Sequence, residues 1–510
     1  MTPYSSGSNE CQKFHPYEIA IRSATAHLNP FLVEVTALLH GPDGESTAIP
    51  GYYDGDGEWK IRFSPNAEGV WRFATQSVDP VLDGHHGEVR CVANGNPHVH
   101  GALGIDRSHP YHFTHEDGTR PFVLGYEANW LWALGFTERG AERLRRFIDL
   151  IASQGFNHVF VNAYAHDVKW RLGNTSADDF GPPPAYAWAG SNVAPDHLHL
   201  NPDYWRVFDA MVRALFERGL TAHIFLKVYN KLVNWPAPRS LADELFFKYV
   251  VARYQGFSNV VWDFSKESYN EPDKVYLENR LRLIKSHDGH RRLVTTHDDK
   301  PFCYDPRFAT ATDFLTDQNH YDLAATVMEQ RRRRQCPVIN AEFAYECGPG
   351  GRHDTAGHSH AHSAEEHVLR SWEVVTGGGY PGYYFTHMAW DFMQPEVVPR
   401  GYLYHLWLVD FMRESRWWEL EPHREFARIR CWCLANPDQE YVIYRPPEER
   451  RTVQVNVPAN LGQLDCEWLH PLTGARAQSV IGSGYRIPLE SPFGDAPFVV
   501  RIRPQSPKSR

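Results

Sequence analysis

The centre of the chain alternates between short apolar segments and longer amphipathic ones, and this alternation constrains the fold more than any other feature. The apolar segments have the length and β-branched composition of buried strands, and the segments between them carry apolar residues at helical spacing. Roughly eight strand–helix units in about 300 residues match the size of a (β/α)8 barrel with a parallel sheet. The predicted strands are Pro121–Gly125, His158–Asn162, Thr221–Val228, Val260–Phe264, Leu293–Thr296, Phe314–Gln318, Pro337–Glu342 and Gly379–Asp391.

Two of the intervening helices have clear sequence signals. The segment 138–154 is predicted to be helical because its apolar residues recur on one face. Asn201 is a suitable N-cap, and Pro202 fits the first helical position, where no N–H is needed for a hydrogen bond. The predicted buried faces of these helices are Leu144, Phe147, Ile148 and Ile151 in the first and Trp205, Phe208, Met211, Val212, Leu215 and Phe216 in the second.

Short strands separated by Gly, Pro and Asp turns flank the barrel segment on both sides. With 510 residues and 42% hydrophobic content, the chain is long enough for two or three domains. Segments 31–39 and 59–63 alternate like sandwich strands, and similar strands return after about residue 425. The sequence therefore predicts an N-terminal β-sandwich over residues 1–98, a catalytic barrel over 99–424 and a C-terminal β-sandwich over 425–510.

Two of the predicted barrel strands lead to a glutamate at their C-terminal end, Glu267 and Glu342. Active sites of parallel barrels lie at this end of the strands, so the two carboxylates are expected to face one cleft. A glycosidase needs such a pair, because one carboxyl group protonates the leaving oxygen while the other carboxylate assists at the opposite face of the sugar. The alternative is that each carboxylate caps a helix or pairs with an arginine.

Two segments resemble a known family. The stretch from Pro50 to Phe73, with turns at Asp56-Gly57 and Glu68-Gly69, resembles the N-terminal Ig-like domain of glycosidases that carry an apiosidase-like clan A barrel. The segment Gly125-Tyr-Glu-Ala-Asn-Trp130 resembles the Gly-Asp-Thr-x-Trp segment of these barrels, with Glu127 replacing the Asp. The resemblance implies an Ig-like first domain and a retaining glycoside hydrolase, in which the acid/base ends strand four and the nucleophile ends strand seven. These positions correspond to Glu267 and Glu342.

The residues before and after Glu267 depart from the family pattern. Lys266 stands where an asparagine usually precedes the acid/base, so it would have to donate the sugar hydrogen bond or neutralise an acidic sugar. Asn270-Glu271-Pro272 matches the usual Asn-Glu-Pro motif literally, but it lies beyond the strand end, and Pro272 is typical of a helix start. We therefore assign the acid/base role to Glu267 and not to Glu271.

Polar and aromatic residues also follow the other predicted strands. Taken singly, each fits a structural role, but together at one face of a barrel they predict a pocket of the size of a sugar. Trp390 could form a floor on which a sugar ring stacks. The predicted substrate-binding residues are Glu127, Asn129, Trp130, Lys227, Lys266, His297, His320, Tyr321 and Trp390.

The predicted activity is exo-acting, retaining hydrolysis of short plant- or microbe-derived oligosaccharides, without a cofactor or metal. One alternative is a metal-dependent, amidohydrolase-type hydrolase built on His98 and His100, with Lys227, His297, His320 and Asp391 as partners. Another is a non-catalytic carbohydrate-binding relative. The loop with His353, His358, His360 and His362 could cover the substrate or bind metal, and the loop from Asp178 to Asn192 could close one end of the cleft.

Composition limits the partners of the chain. The formal net charge of −10 is spread along the sequence, which argues against nucleic acid and against anionic membranes. No apolar window approaches a membrane span, and the start of the sequence lacks the pattern of a signal peptide. The eight cysteines are scattered without paired spacing, so we expect free thiols and a cytoplasmic protein. The sequence leaves formation of a homo-oligomer open.

Overall fold

The computed structural model describes residues 4–5, 9–166, 185–299, 305–348, 361–390, 392–427, 431–449 and 452–505. His353, His358, His360 and Asp391 lie outside the described residues, as does the first half of the predicted loop from 178 to 192.

The N-terminal region contains two β-sheets with a shared apolar core. One sheet has the order β1-β3-β7-β6 and the other β2-β9-β8-β4-β5, and Ile19, Trp59 and Phe73 are among the residues buried between them. A hairpin, β10 and β11, then leads to the barrel. The strands are β1 Tyr4–Ser5, β2 Glu10–Gln12, β3 Tyr17–Arg22, β4 Val35–His40, β5 Ser46–Pro50, β6 Tyr52–Gly55, β7 Glu58–Phe63, β8 Gly69–Ser77, β9 His86–Val92, β10 Leu103–Ile105 and β11 Phe113–His115.

The central region alternates strands and helices, as its apolar pattern predicts. Its strands are β12 Gly125–Glu127, β13 His158–Asn162, β14 Trp188–Gly190, β15 Pro195–Leu200, β16 Thr221–Val228, β17 Val260–Lys266, β18 Val294–Thr295, β19 His297–Asp298, β20 Leu315–Asp317, β21 Val338–Asn340, β22 Tyr345–Glu346, β23 Ala361–His362, β24 Tyr380–Tyr384, β25 Met388–Ala389 and β26 Phe392–Met393. Its helices are α1 Gly140–Ser153, α2 Pro202–Glu217, α3 Leu241–Tyr254, α4 Lys274–His287, α5 Leu323–Arg334, α6 Ala364–Thr376 and α7 Arg400–Arg413. Short 3-10 helices over the whole chain include Pro30–Leu32, Leu131–Phe136, Ser268–Asn270, Pro306–Phe308, Trp417–Glu419 and Ala459–Leu461.

Nine of the central strands form a nearly closed parallel barrel. Their order is β18-β17-β16-β13-β12-β24-β21-β20-β19. The two ends of this order, β18 and β19, are separated in the chain by Thr296 alone, so the chain itself connects the two edges. Because all of the pairings are parallel, the C-terminal ends of the strands lie at one face of the barrel.

Local sequence signals explain how the helices begin and which face they bury. The Asn201 side chain accepts a hydrogen bond from the N–H of Asp203, and Pro202 occupies the first turn of α2. Ser240 caps α3 in the same way, through the N–H of Asp243. The predicted apolar faces of α1 and α2 are buried.

The first barrel strand lies further along the chain than the sequence predicts, at Gly125–Glu127 and not at Pro121–Gly125. The reason is the side chain of Asn157, which bonds the backbone just before the strand. Its Oδ1 accepts from the N–H of Leu124, at 2.9 Å, and its Nδ2 donates to the carbonyl of Phe122, at 2.9 Å. The side-chain amide of Asn157 thus bonds backbone groups that a neighbouring strand would otherwise bond, and the strand begins only at Gly125.

The C-terminal region consists of a six-stranded sheet, β27-β28-β29-β34-β31-β32, and a two-stranded sheet, β30-β33. Cys433 and Cys466 are buried in the core between them as free thiols. The strands are β27 Glu421–Pro422, β28 Trp432–Asn436, β29 Glu440–Arg445, β30 Val453–Val457, β31 Gln463–Leu469, β32 Arg476–Gly482, β33 Gly484–Leu489 and β34 Phe498–Pro504.

A buried charge cluster joins the N-terminal sheets to the barrel helices. Arg62, on β7, donates to the carbonyl of Arg253, at 2.5 Å, and its guanidinium lies 3.1 Å from Asp209 on α2. Arg253 pairs in turn with Asp209 and with Asp54, both at 2.8 Å. Each buried charge has an opposite partner, which is the condition under which buried charges are tolerated. None of the described helices combines the length and apolarity needed to span a membrane.

Candidate active site

Glu342 lies two residues beyond the end of β21, at the C-terminal face of the barrel, and is 3% exposed. Its Oε2 accepts a hydrogen bond from the ammonium of Lys266, at 2.6 Å, and its Oε1 accepts from the hydroxyl of Tyr345, at 2.7 Å. Burial alone would raise the pKa of Glu342, but Lys266, His297 and Tyr345 outweigh it and hold this pKa well below its ordinary value. The carboxylate is therefore ionised in the resting protein.

Lys266 is the last residue of β17, and its side chain reaches the interior of the barrel. Trp262 and Phe264 on the same strand face outward, since Trp262 donates to Asp288 and Phe264 stacks on Phe247 of α3. Simple alternation would put Lys266 on that outer side. Its ammonium instead bonds Glu342 and Glu127, and although burial lowers the pKa of Lys266, these two carboxylates raise it above its ordinary value. Lys266 is therefore a fully buried cation with two carboxylate partners.

Glu127 ends strand β12 and is fully buried. Both of its oxygens accept from Lys266, at 3.0 and 3.1 Å, and Oε2 also accepts from the Nδ2 of Asn129, at 3.2 Å. Burial and the nearby charge of Glu342 raise the pKa of Glu127 to about 8, against the opposing effect of Lys266. A single ammonium cannot neutralise two buried carboxylates, so the site favours a protonated Glu127.

The hydrogen bonds of His297 fix its tautomer. Its Nδ1 accepts from the backbone N–H of Glu267, at 3.2 Å, so in the neutral ring the proton lies on Nε2. Burial and the positive charge of Lys266 hold the pKa of His297 well below its ordinary value, which keeps the ring neutral. Its Nε2 lies 3.8 Å from Oε2 of Glu342. The neutral ring therefore lies near that carboxylate without adding a charge, at a distance too long for a hydrogen bond.

Glu267 has a different environment from Glu342. Its carboxylate is half-buried and accepts from two amides, the Nδ2 of Asn230 at 2.8 Å and the Nδ2 of Asn270 at 3.2 Å. Within the described part of the chain, no cation forms a salt bridge with it. Its backbone is left-handed, with φ of 57°, a strained conformation for a residue with a side chain and one that is frequent at functional sites. Tyr269 also contacts this carboxylate. Burial, together with the charge of Glu267 and a hydrogen bond to it, raises the pKa of Tyr269.

Trp390 lies beyond the end of β24 and is almost fully buried. It also has a left-handed backbone, with φ of 50°. The ammonium groups of Lys231 and Lys266 lie 4.0 and 6.0 Å from the centre of its ring. The Trp390 side chain is therefore next to the charged group of Glu127, Lys266 and Glu342, where a stacking surface for a sugar was predicted.

The structure brings most of the predicted site residues together but not all of them. Lys227 lies on the outer side of the sheet, where its ammonium donates to Tyr276 of α4 and lies 4.0 Å from Asp243 of α3. Tyr321 is 70% exposed, away from the buried group. Alternation along a strand and proximity to its end do not determine which way the last side chains point. For this reason the sequence analysis wrongly predicted that Lys227 and Tyr321 lie in the pocket.

The remaining predicted residues lie near the mouth of the barrel. Trp130 is buried against Trp132 and His166, and His320 packs on Tyr345, the residue that bonds Glu342. By contrast, Glu271 accepts from the hydroxyl of Tyr229, at 2.5 Å, and from the N–H of Asp273. Glu271, although it matches the family motif in sequence, therefore stabilises the loop before α4.

Sequence reasoning missed three residues that contact the carboxylates: Tyr345, Asn230 and Tyr269. Tyr345 follows Glu342 by three residues, and Asn230 follows the end of β16 by two. A systematic reading of the residues after each strand would have included both. His98 and His100, the basis of the metal-dependent alternative, line a cavity at the opposite end of the barrel and do not meet His297.

Three groups in the site could hold a metal ion. Glu127, His297 and Glu342 each offer one ligand atom, and these atoms lie within 4.8 Å of one another. The ammonium of Lys266 already bonds the two carboxylates of this group, however, so a divalent cation would have to displace it. The three groups are suitable metal ligands, but the ammonium of Lys266 already balances the negative charge of the carboxylates.

Comparison with known proteins agrees with the overall fold. Two solved structures from Bacteroides vulgatus are similar. A presumed glycoside hydrolase has a TM-score of 0.79 and 18% identity over 97% of this chain and 100% of its own. A family 5 glycoside hydrolase has a TM-score of 0.60 and 15% identity over 79% of this chain and 94% of its own. At these identities the likeness concerns the fold. No curated protein matches the chain by sequence.

Two family models match the sequence. Residues 10–78 match a domain of unknown function, DUF5060. Residues 108–420 match the model described as "Apiosidase-like, catalytic domain", which covers more than half of the chain and includes Glu127, Lys266, Glu267 and Glu342. The chain therefore belongs to the Apiosidase-like catalytic-domain family.

Proposed function

We propose that the protein is a retaining glycoside hydrolase with Glu342 as the nucleophile and Glu267 as the acid/base. The observation that carries this proposal is the contrast between the two carboxylates. Glu342 is kept ionised by an ammonium and a phenol, whereas Glu267 receives hydrogen bonds from neutral amides. A nucleophile must carry its charge, and an acid must be able to hold a proton.

In the first step, Glu342 attacks the anomeric carbon while Glu267 protonates the departing oxygen. This step forms a glycosyl ester on Glu342 and leaves Glu267 ionised. Glu267 then takes a proton from water, and the water oxygen displaces Glu342 from the anomeric carbon. The two inversions give net retention of configuration.

Lys266 and Glu127 supply charge compensation for this cycle. In the resting site, the ammonium of Lys266 balances Glu342, and burial favours a protonated Glu127. Once Glu342 becomes an ester, its negative charge disappears and so does its repulsion of Glu127. The ammonium then faces Glu127 alone, which lowers the pKa of Glu127. Glu127 releases its proton to water, becomes the counter-ion, and takes a proton back from water when the second step restores the charge of Glu342. The buried lysine therefore has a carboxylate partner at each stage, as a buried charge requires.

The wider architecture and the substrate class are part of this proposal. We propose an Ig-like sandwich over residues 1–98, an eight-unit (β/α)8 barrel over 99–424, in which β18 and β19 count as one interrupted strand, and a C-terminal sandwich over 425–510. We further propose exo action on short plant- or microbe-derived oligosaccharides and a cytoplasmic location. Support for a carbohydrate substrate comes from the match to the Apiosidase-like catalytic domain and from Trp390, whose ring lies beside the ammonium of Lys266.

The first prediction separates the two glutamates by their roles. Glu342→Ala should be inactive, and azide should restore turnover to a glycosyl azide of inverted configuration, because the anion replaces the missing nucleophile. Glu267→Ala should lose about 10²–10⁴-fold on substrates whose leaving group needs a proton. It should still form the intermediate from a dinitrophenyl glycoside, and azide should then release a product of retained configuration. The measurement is the configuration of the azide products by NMR.

Glu271→Gln is the matched control, since Glu271 lies four residues from Glu267 and bonds Tyr229. It should retain the activity of the parent protein and show no azide effect. The opposite stereochemical pattern would exchange the two roles. An absence of turnover by the parent protein across aryl glycosides would favour a non-catalytic carbohydrate-binding relative.

The second prediction concerns the shared ammonium. Lys266→Met should lower the free energy of unfolding by about 3–5 kcal/mol, because it leaves the buried carboxylate of Glu342 without a counter-ion, beside a second buried carboxyl group. It should also raise the pKa of Glu342, so the acidic limb of kcat/KM should move to higher pH, since the nucleophile works only when ionised. The double variant Lys266→Met/Glu127→Gln should recover part of the lost stability, because only one carboxylate remains.

Lys227→Met provides a matched control, since Lys227 is a buried lysine that contacts Asp243 and Tyr276 outside the site. Its loss of stability should not be accompanied by a shift of the acidic limb. If both lysine variants left the pH profile unchanged, Lys266 would have only a structural role.

A metal-dependent hydrolase is the second candidate, because Glu127, His297 and Glu342 could together bind a divalent ion. Our third prediction is that dialysis against a chelator leaves kcat/KM unchanged, since Lys266 already supplies the positive charge that these carboxylates require. The assay pairs activity with the metal content of the same samples by elemental analysis. Loss of activity that zinc or manganese restores would contradict the two-carboxylate mechanism.

A further inference from the structure

Two cysteines of the N-terminal region lie opposite each other on a pair of parallel strands. Cys11 on β2 is the register partner of Cys91 on β9, and both are free thiols in this structure. Neighbouring strands lie about 4.7–4.9 Å apart, and the Cα atoms of a disulfide lie about 4.4–6.8 Å apart. The spacing of the two strands therefore permits a bond between these residues.

The two side chains point to the same side of the sheet. Glu10 and Gln12, the neighbours of Cys11 on its strand, are exposed, whereas Cys11 packs against the apolar core of the N-terminal region. Cys91 is 3% exposed and belongs to the same core, next to the exposed Arg90. Successive side chains of a strand alternate between its two faces. Both thiols therefore face the core between the two N-terminal sheets.

The two thiols also form a hydrogen-bonded pair. The hydrogen bond that Cys11 donates to the sulfur of Cys91, together with burial, raises the pKa of Cys11. The same bond lowers the pKa of Cys91, although burial opposes it. The thiol of Cys91 donates in turn to the carbonyl of Val92, at 3.7 Å. The pair therefore loses its first proton more easily than an isolated thiol does, and it keeps the second between the two sulfurs.

The two cysteines differ in their access to solvent. Cys11 is half-buried, and its strand β2 lies at the edge of the five-stranded sheet. Cys91 lies between two strands, with Cys11 as its partner on β2 and Gly69 as its partner on β8. A reagent from solvent therefore reaches the sulfur of Cys11 first and meets Cys91 only afterwards.

We propose that Cys11 and Cys91 form a reversible disulfide, a redox switch that fastens the first strands of the chain to the segment leading into the barrel. The oxidant is a small-molecule disulfide such as glutathione disulfide. This switch lies in the N-terminal region, apart from Glu267 and Glu342, and does not depend on the proposed hydrolysis.

The exchange takes place in two steps. Transfer of the shared proton to Cys91 puts the negative charge on Cys11, whose thiolate attacks one sulfur of glutathione disulfide and releases one glutathione thiolate. The sulfur of Cys91 then attacks the sulfur of Cys11 and displaces the second glutathione. Two cysteine thiols are thereby oxidised to one disulfide, and one glutathione disulfide is reduced to two thiols. The two cysteine protons balance the two glutathione thiolates that leave.

The geometry favours a bond that is easily reduced. Parallel register partners hold their Cβ atoms near the strand spacing of about 4.7–4.9 Å, which exceeds the separation of about 3.5–4.5 Å in a relaxed disulfide. The edge strand β2 must therefore move toward β9 when the bond forms. Strain of this kind makes a disulfide more reducible, and strained or exposed disulfides are the ones that change state in response to the surroundings.

The bond would strengthen existing contacts between the start of the chain and the segment after β9. The Oε1 of Gln12 accepts from the N–H of Gly95, at 2.8 Å, and the Nε2 of His15 bonds the Oδ1 of Asn94, at 3.0 Å. Asn94 donates in turn to the carbonyl of Val99, at 2.6 Å. The bond closes a loop of about 80 residues, and a closed loop restricts the unfolded chain. The oxidised protein should therefore resist unfolding better than the reduced one.

Peptide mapping of the native, full-length protein tests the bond. The protein is incubated with glutathione disulfide, free thiols are alkylated, and trypsin is added without reduction. Trypsin cuts after Lys13 and Arg90, so the two cysteines lie in separate peptides that contain no other cysteine. We expect these peptides to be linked, and the link to disappear when the native protein is returned to reduced glutathione. Absence of the link, or a link that reduced glutathione breaks only in denaturant, would overturn the proposal.

Single variants test the order of the two steps. Cys11→Ser should take up no glutathione at Cys91, because Cys91 is buried, whereas Cys91→Ser should stop at a glutathione adduct on Cys11. Cys347→Ser is the matched control, since Cys347 is also half-buried, and it should still form the linked peptides. Glutathione on Cys91 in the Cys11→Ser variant would contradict the proposed route. If Cys91→Ser fails to fold, the comparison of Cys11→Ser with Cys347→Ser still decides.

Calorimetry of the oxidised and reduced proteins tests the fastening. Oxidation should raise the unfolding temperature of the N-terminal region by about 4 °C or more, because the crosslink restricts the unfolded chain. The rise should persist in Cys347→Ser and disappear in Cys11→Ser. An equal rise in Cys11→Ser, or none in the parent protein, would contradict the fastening of the chain by this pair.

Discussion

The ammonium of Lys266, shared by two buried carboxylates, is the interaction on which the candidate site depends. Three fully or almost fully buried ionisable groups, at the ends of strands β12 and β17 and two residues beyond β21, meet within hydrogen-bonding distance. Removing Lys266 leaves a buried carboxylate without a counter-ion, which costs more than the pair itself contributes. This constraint holds Glu342 ionised, and it makes Glu127 the group whose protonation adjusts to the state of the site.

The barrel allows this arrangement because its interior is polar along much of its length. Below the carboxylates, Asp263 accepts from the backbone N–H groups of His297 and Ser265, at 2.9 and 3.0 Å, and its other oxygen bonds His223. Apolar side chains are the usual filling of such barrels. Here hydrogen bonds connect His158 through His223 and Asp263 to the backbone N–H of His297, and the ring of His297 in turn accepts from the backbone N–H of Glu267. Each of these buried side chains makes at least one hydrogen bond, which reduces the cost of placing polar groups inside the barrel.

The sequence predicted those features that depend on periodicity and on the direction of the chain. The strand–helix alternation indicated a parallel barrel, and parallel strands bring their C-terminal ends together, so Glu127, Glu267 and Glu342 were placed at one face. The direction of side chains at the very end of a strand was not predictable in this way. Lys227 and Lys266 occupy similar positions on neighbouring strands, yet one faces the helices and the other the interior. Which carboxylate each lysine meets depends on contacts between strands that are distant in the sequence.

The central claim is that Glu342 forms a covalent bond to the sugar, and the most direct test is to trap that bond. The protein is incubated with activated 2-deoxy-2-fluoro aryl glycosides, in which fluorine slows both steps and the good leaving group restores the first. Peptide mass spectrometry then locates the label. Our account predicts one sugar on Glu342 and none on a Glu342→Gln variant. A label on Glu267 or Glu127, or hydrolysis of a cleavable substrate with inversion and without any label, would contradict it.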